Sequence, residues 1–214
     1  MCQRTGISSK RPYFFPLADG STTRAVAEFV DRYRTSLQCL AAVEVFGTGD
    51  EIGRQHSLGF VAHSRAATDR ASLPLTSPQG VVSFLLRVYV EYRVDVSTNL
   101  RVHRVSATSY SYRLLTSEHR ELVAFPWHPS GLSRFTTPHL HVAGAAPIPL
   151  PALHSAAPRS LDIAKAHLPT HPLSPEDLVE LLIDDPVFGI EPRRIDWRGS
   201  LSRNRALTDD RGNR

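Results

Sequence analysis

Histidine is the residue type with which this sequence is best equipped to do chemistry. The chain has ten histidines, and six of them lie between positions 128 and 171. Imidazole titrates near neutral pH, so it can act as acid, base, phosphate ligand or metal ligand. These six residues are His128, His139, His141, His154, His167 and His171.

The closest pair of histidines is His139 and His141, in the segment Pro138–Val142. This segment predicts a short strand, in which residues two apart project from the same face with a backbone spacing of roughly 6.5–7 Å. Leu140 would then pack on the opposite face. Two imidazoles placed in this way can hold one metal ion or flank one phosphate.

A third imidazole, that of His128, ends the preceding predicted strand, 121–128. Antiparallel pairing of that strand with 138–142 would bring His128 beside His139 and His141. Three nitrogens with an open fourth position are the usual plan of a catalytic zinc site. We therefore predict that His128, His139 and His141 are the catalytic residues.

Three interpretations of these histidines remain open. They could bind a metal ion, they could form an unspecialised surface, or they could act without metal as acid, base and phosphate ligands. Neither a helical His-Glu-x-x-His motif nor a Cys-x-x-Cys motif is present. We prefer the metal-free interpretation, assign no metal ligand, and identify no cofactor.

Aromatic and basic residues lie on the strands predicted next to the histidines. Tyrosine beside arginine can stack on and bind RNA bases, whereas the alternative is that strands select aromatic residues for packing. We predict that Tyr112, Arg113 and Trp127 bind substrate.

The elements that must position these residues are strands and two helices. From Val82 to Val96 every even position is apolar and most odd positions are polar, which predicts one long strand with a bend or bulge. Strands at 102–115, 121–128 and 138–142 follow after short turns. The fold class is therefore α+β, an antiparallel β-meander packed against an N-terminal helix, 23–38, and a C-terminal helix that begins at Ser174.

The predicted domain organisation is a single α+β domain over 21–198. It contains a loop at 64–80 and a proline-rich connector at 143–158. A flexible N-terminal arm, 1–20, precedes it. A flexible polar tail, 199–214, follows it.

Composition favours a cytoplasmic protein. The net charge is +4, with 23 arginines against two lysines, which favours a phosphate-bearing partner such as RNA. We expect Cys2 and Cys39 to be reduced thiols. No apolar run approaches the roughly 20 residues of a membrane span, so we expect no membrane partner.

Several segments resemble an uncharacterised family of small bacterial proteins and are similar to the TumE-like toxins of toxin–antitoxin modules. These segments are 110–113, 122–129, 138–142, 161–170 and the helix 174–183, within about residues 81–200. The resemblance implies a toxin, with nuclease activity as one candidate, that a small antitoxin protein neutralises. It places His128, His139 and His141 on the functional surface.

The preferred hypothesis is a histidine-dependent toxin that acts on RNA. Histidine can accept the proton of a 2′-hydroxyl and return one to the leaving oxygen, while arginine holds the phosphate. The alternative is a non-enzymatic protein-interaction domain with incidental histidines. A metal-dependent enzyme is a third hypothesis, and the sequence leaves open whether the protein is an enzyme at all.

Overall fold

The fold is described from a computed structural model. It describes residues 21–63, 71–97, 102–130, 135–143, 148–150, 159–161 and 166–212. The predicted N-terminal arm, 1–20, lies outside the described residues. None of the helices among the described residues has the length and apolar character that crossing a membrane requires.

The chain forms three helices and ten strands in the described part. The helices are α1 (Thr22–Leu37), α2 (Pro175–Asp184) and α3 (Trp197–Gly212). The strands are β1 (Val43–Gly47), β2 (Gln55–Ala62), β3 (Ser72–Thr76), β4 (Val82–Ser97), β5 (Val102–Thr116), β6 (Glu121–Trp127), β7 (His139–Val142), β8 (Ile148–Leu150), β9 (Arg159–Leu161) and β10 (Leu168–Pro169).

Eight strands make one antiparallel sheet, which confirms the predicted α+β class with its N-terminal and C-terminal helices. Seven strands follow the order β1-β2-β4-β5-β6-β7-β10, and β3 pairs with β4. β8 and β9 form a separate two-stranded sheet. The pairing of β4 with β5 shifts register between Glu91 and Tyr92, as the predicted bulge requires.

One face of the sheet packs against the helices. Tyr92 and Tyr112 on the sheet and Phe29 and Tyr33 on α1 are all buried in this core. The apolar stripe of α1 recurs at three- and four-residue spacing, which is why this face of the helix is buried. The helix begins one residue earlier than predicted, since the Ser21 side chain accepts a hydrogen bond from the Arg24 amide.

Buried polar groups join the three helices. The Arg32 guanidinium donates to both carboxylate oxygens of Glu176, at 2.7 and 2.6 Å. Ser36 donates to Glu176 from 3.2 Å, and the Asn204 amide donates to Ser36 from 3.0 Å. We call Arg32, Ser36, Glu176 and Asn204 the helix-side network.

The predicted tail and the predicted loop are corrected over their described residues. The sequence predicts a flexible tail over 199–214, but Trp197–Gly212 forms α3. Trp197, Leu201 and Asn204 are buried at spacings of four and three, which anchors this mostly polar helix. Within the loop 64–80, residues 72–76 form β3, because Leu73 and Leu75 pack into the core.

Part of the proline-rich connector is also structured. Residues 148–150 form β8, which pairs with β9 just beyond the connector's predicted end. Residues 144–147 and 151–158 of the connector lie outside the described residues.

Candidate functional site: three histidines at the sheet edge

Three imidazoles meet on the face of the sheet opposite the helices. His139 and His141 lie on β7, and His167 directly precedes β10. β10 pairs with β7 through Leu168 with Leu140 and Pro169 with His139. The same register, continued by one residue, sets His167 opposite His141, where cross-strand partners share a face. We call His139, His141 and His167 the three-histidine centre.

The rings of this centre touch one another. Ring centroids of His139 and His141 are 4.9 Å apart, those of His139 and His167 are 4.8 Å apart, and those of His141 and His167 are 4.3 Å apart. One ligand nitrogen from each ring lies within 4.8 Å of the other two. The prediction that His139 and His141 project from one face of an extended strand is thereby confirmed.

The His139 ring is held by a backbone carbonyl. Its Nδ1 lies 2.8 Å from the carbonyl oxygen of Thr137, and the side chain is only 5% exposed. A carbonyl oxygen can only accept, so Nδ1 carries a proton and donates it. In the neutral ring the Nε2 lone pair is then free to bind a metal ion or accept a proton, the usual arrangement for a metal-binding histidine.

Phe135 packs against two rings of the centre. Its ring stacks on His167 at 3.8 Å with an interplanar angle of 11°, and lies 6.0 Å from the His139 ring. The segment that carries Phe135 and Thr137 therefore fixes two of the three imidazoles. The buried Nδ1 of His167 has no hydrogen-bond partner among the described residues.

Their surroundings disfavour the protonated form of His141 and His167. Burial lowers the pKa of His141, and the neighbouring His167 and His139 lower it further. Burial and His139 also lower the pKa of His167. A lower pKa means that, at neutral pH, the imidazole is neutral and has an available lone pair in a larger fraction of the molecules.

His128 follows β6 and lies near the centre without belonging to it. Burial lowers its pKa, the carboxylate of Glu91 opposes this effect, and Arg113 and His139 reinforce it. Glu91 is itself fixed, since it accepts hydrogen bonds from Ser109, Tyr89 and Gln55. Burial raises the pKa of Glu91, but these bonds outweigh it and lower the pKa overall. Glu91 is therefore a stable anion beside His128.

The structure separates the predicted site residues into two groups. His139 and His141 lie together, with His128 in electrostatic contact and Arg113 on the same outer face. Tyr112 and Trp127 lie on the helix side and are only 1% and 6% exposed. Rings packed in the core present no face to a substrate, so their predicted binding role is corrected to packing.

The sequence does not predict two residues of the site, His167 and Glu91. His167 belonged to the histidine-rich region, but its register depends on a connection of more than twenty residues between β7 and β10. Glu91 is one of the polar odd positions of the long strand. The alternation of the strand places Glu91 on the outer face, but it does not predict the three hydrogen-bond donors to Glu91 or the proximity of His128.

Comparison with known proteins adds no assignment to this geometry. No protein-family model matches the chain, and neither the curated proteins nor the solved structures compared with it give a match.

Proposed function

We propose that the protein is a metal-dependent hydrolase whose three-histidine centre binds one divalent transition-metal ion, with zinc as the best fit. One observation carries the proposal, namely that His139, His141 and His167 bring three ligand nitrogens within 4.8 Å of one another. Imidazole nitrogens suit zinc and its neighbours in the periodic table, whereas magnesium and calcium prefer oxygen ligands.

The nitrogens need only small movements to bind zinc. Zinc–nitrogen bonds of about 2.0–2.1 Å in tetrahedral geometry require ligand nitrogens roughly 3.3–3.4 Å apart. Small rotations of the His141 and His167 side chains, which are only partly buried, would supply the remaining approach. His139 is held in place by Thr137 and provides a fixed reference for the other two.

The ligand set leaves a position for water. Among the described residues the group contains three ligands, and His141 and His167 are only partly buried. A zinc ion with an open position supplies a water whose pKa falls to about 7. His128 lies near enough to sense the charges of both His139 and Glu91, so it is the candidate to accept or return a proton.

Metal analysis and calorimetry test the proposal. The full chain is expected to bind one equivalent of zinc. Loss of a residue that only hydrogen-bonds a metal ligand typically weakens metal binding by about 10–100-fold. His141→Ala and His167→Ala each remove a ligand itself, so each should weaken zinc binding by more than this. His63→Ala is the matched control, because His63 is exposed on the distant β2 side of the sheet. Absence of zinc binding, or equal loss in the control, would refute the metal centre.

Metal-free, histidine-dependent cleavage of RNA is the second candidate function. It is favoured by the electrostatic interaction of His128 with the fixed anion Glu91 and by the arginine-rich composition. In this case a small antitoxin protein, as for the TumE-like toxins, would be the partner. RNA cleavage or growth arrest that survives chelation of metal but is abolished in His128→Ala would favour this candidate over the hydrolase.

A further inference from the structure

Arg113 extends the three-histidine centre along the outer face of the sheet. In the paired register Arg113 of β5 lies opposite Ala124 of β6, and Ala124 lies opposite His141 of β7. Residues in one such row project from the same face. Since Ala124 carries only a methyl group, nothing in the row separates the long arginine side chain from His141.

The positive charge of Arg113 reaches the site. It contributes to the lowered pKa of both His128 and His141, although burial is the larger cause for each. Arg113 therefore lies within electrostatic range of both His141 and His128. Among the described residues, the carboxylate at ion-pair range of Arg113 is that of Glu121, whose oxygen is 3.8 Å from Nε, beyond hydrogen-bonding distance.

The guanidinium fork of Arg113 is available to a ligand. Nε donates to Ser111 from 3.2 Å, and the terminal amino groups have no hydrogen-bond partner within the described part of the chain. The side chain is 54% exposed. The Ser111 bond holds the stem, while the two terminal nitrogens form the planar fork that matches phosphate oxygens.

We propose that the substrate of this site is a phosphate ester, and that the fork of Arg113 binds its phosphoryl oxygens while the three-histidine centre holds the metal. The inference rests on the proposed hydrolase function. A tetrahedral phosphoryl group has enough oxygens to contact a metal ion and an arginine fork together. A carboxylic ester or a peptide bond has one carbonyl oxygen, which would leave the guanidinium without a partner.

Binding of inorganic phosphate to the zinc-loaded protein tests the role of Arg113. We expect Arg113→Gln to weaken phosphate binding at least tenfold and Arg113→Lys to restore it only in part, because lysine lacks the fork. Arg120→Gln is the matched control, since Arg120 is an exposed arginine at the same end of the sheet, ion-paired with Glu118. Zinc affinity should be equal in all three variants.

The outcomes separate the two proposals. Suppose that zinc binds normally but that Arg113→Gln leaves the phosphate affinity unchanged, or that acetate binds as tightly as phosphate. Either result would overturn the assignment of a phosphate ester and leave the metal centre standing. Failure of the wild-type protein to bind zinc would overturn the metal centre.

Hydrolysis of nitrophenyl substrates gives a second readout. We expect the zinc-loaded protein to hydrolyse the nitrophenyl phosphate monoester or diester but not nitrophenyl acetate. A preference for the monoester would indicate a small phosphate as substrate, and a preference for the diester would indicate nucleic acid. Hydrolysis of the acetate alone would contradict the phosphate assignment.

Discussion

The two faces of the sheet bury polar groups in opposite ways. On the helix side, both oxygens of Glu176 are occupied by Arg32 and Ser36, and Asn204 closes the network from α3. On the outer face, the buried Nδ1 of His167 has no hydrogen-bond partner among the described residues, and the rings of His139 and His141 lie against that of His167.

This difference indicates what each group is for. A buried charge is tolerated when it is paired and hydrogen-bonded, and such a pair then specifies how the helices dock. A buried polar atom without a partner in the fold costs free energy that a bound ion or an ordered water can recover. The helix-side network therefore serves the fold, and the three-histidine centre is suited to binding.

The largest effect that would test this comparison is expected at Glu176. Glu176→Ala should lower the free energy of unfolding by about 3–5 kcal/mol, because it leaves Arg32 as a buried charge without its carboxylate. Urea denaturation at pH 7 measures the loss. Glu118→Ala removes an exposed partner of Arg120 and should cost about 0–1 kcal/mol.

The same variant shows whether the two faces are independent. If Glu176→Ala remains folded at low temperature, its zinc affinity should equal that of the wild type. A large loss of zinc affinity in the folded variant would mean that the helix-side network also positions the histidines, which would break the comparison.

A smaller, pH-dependent effect is expected at the start of α2. Asp177 completes a capping box with Ser174 and pairs with Arg205 of α3. Burial raises the pKa of Asp177, but the bonds from Ser174 and Arg205 outweigh it, so the folded pKa lies below the unfolded one. The ionised carboxylate therefore contributes stability that is complete above about pH 4 and is lost as the pH falls through the folded pKa.

Asp177→Asn isolates this contribution. At pH 7 we expect a loss of about 1 kcal/mol, the usual value of a helix cap. The difference from the wild type should shrink below about pH 4, and denaturation curves at several pH values measure it. A difference that stays constant down to pH 2 would assign the effect to packing instead of charge.

The sequence predicts the sheet better than it predicts the site, for a physical reason. Alternation over 82–96 fixes which side chains face the core, and i, i+2 spacing fixes that His139 and His141 share a face. Both properties are local to one strand. Which histidine supplies the third imidazole depends on which distant strand pairs with β7. The residues next to His128 and His167 in the sequence do not determine this pairing. The same limit applies to Trp127 and Tyr112, whose burial depends on helices far along the chain.

The smallest effect gives the sharpest test, because it predicts a sign. In metal-free protein His167→Leu should leave the free energy of unfolding equal or raise it by up to about 1 kcal/mol. The change removes a buried nitrogen that has no hydrogen-bond partner in the described part of the chain, and it keeps an apolar contact for Phe135. His139→Leu should instead lose about 1 kcal/mol, because its ring donates to Thr137. Urea denaturation with a chelator present measures both. Zinc at one hundred times its dissociation constant should then stabilise only the wild type, by about 2.7 kcal/mol. If His167→Leu destabilised the metal-free protein as much as His139→Leu, His167 would be held by the fold itself, and the contrast between the two faces would no longer stand.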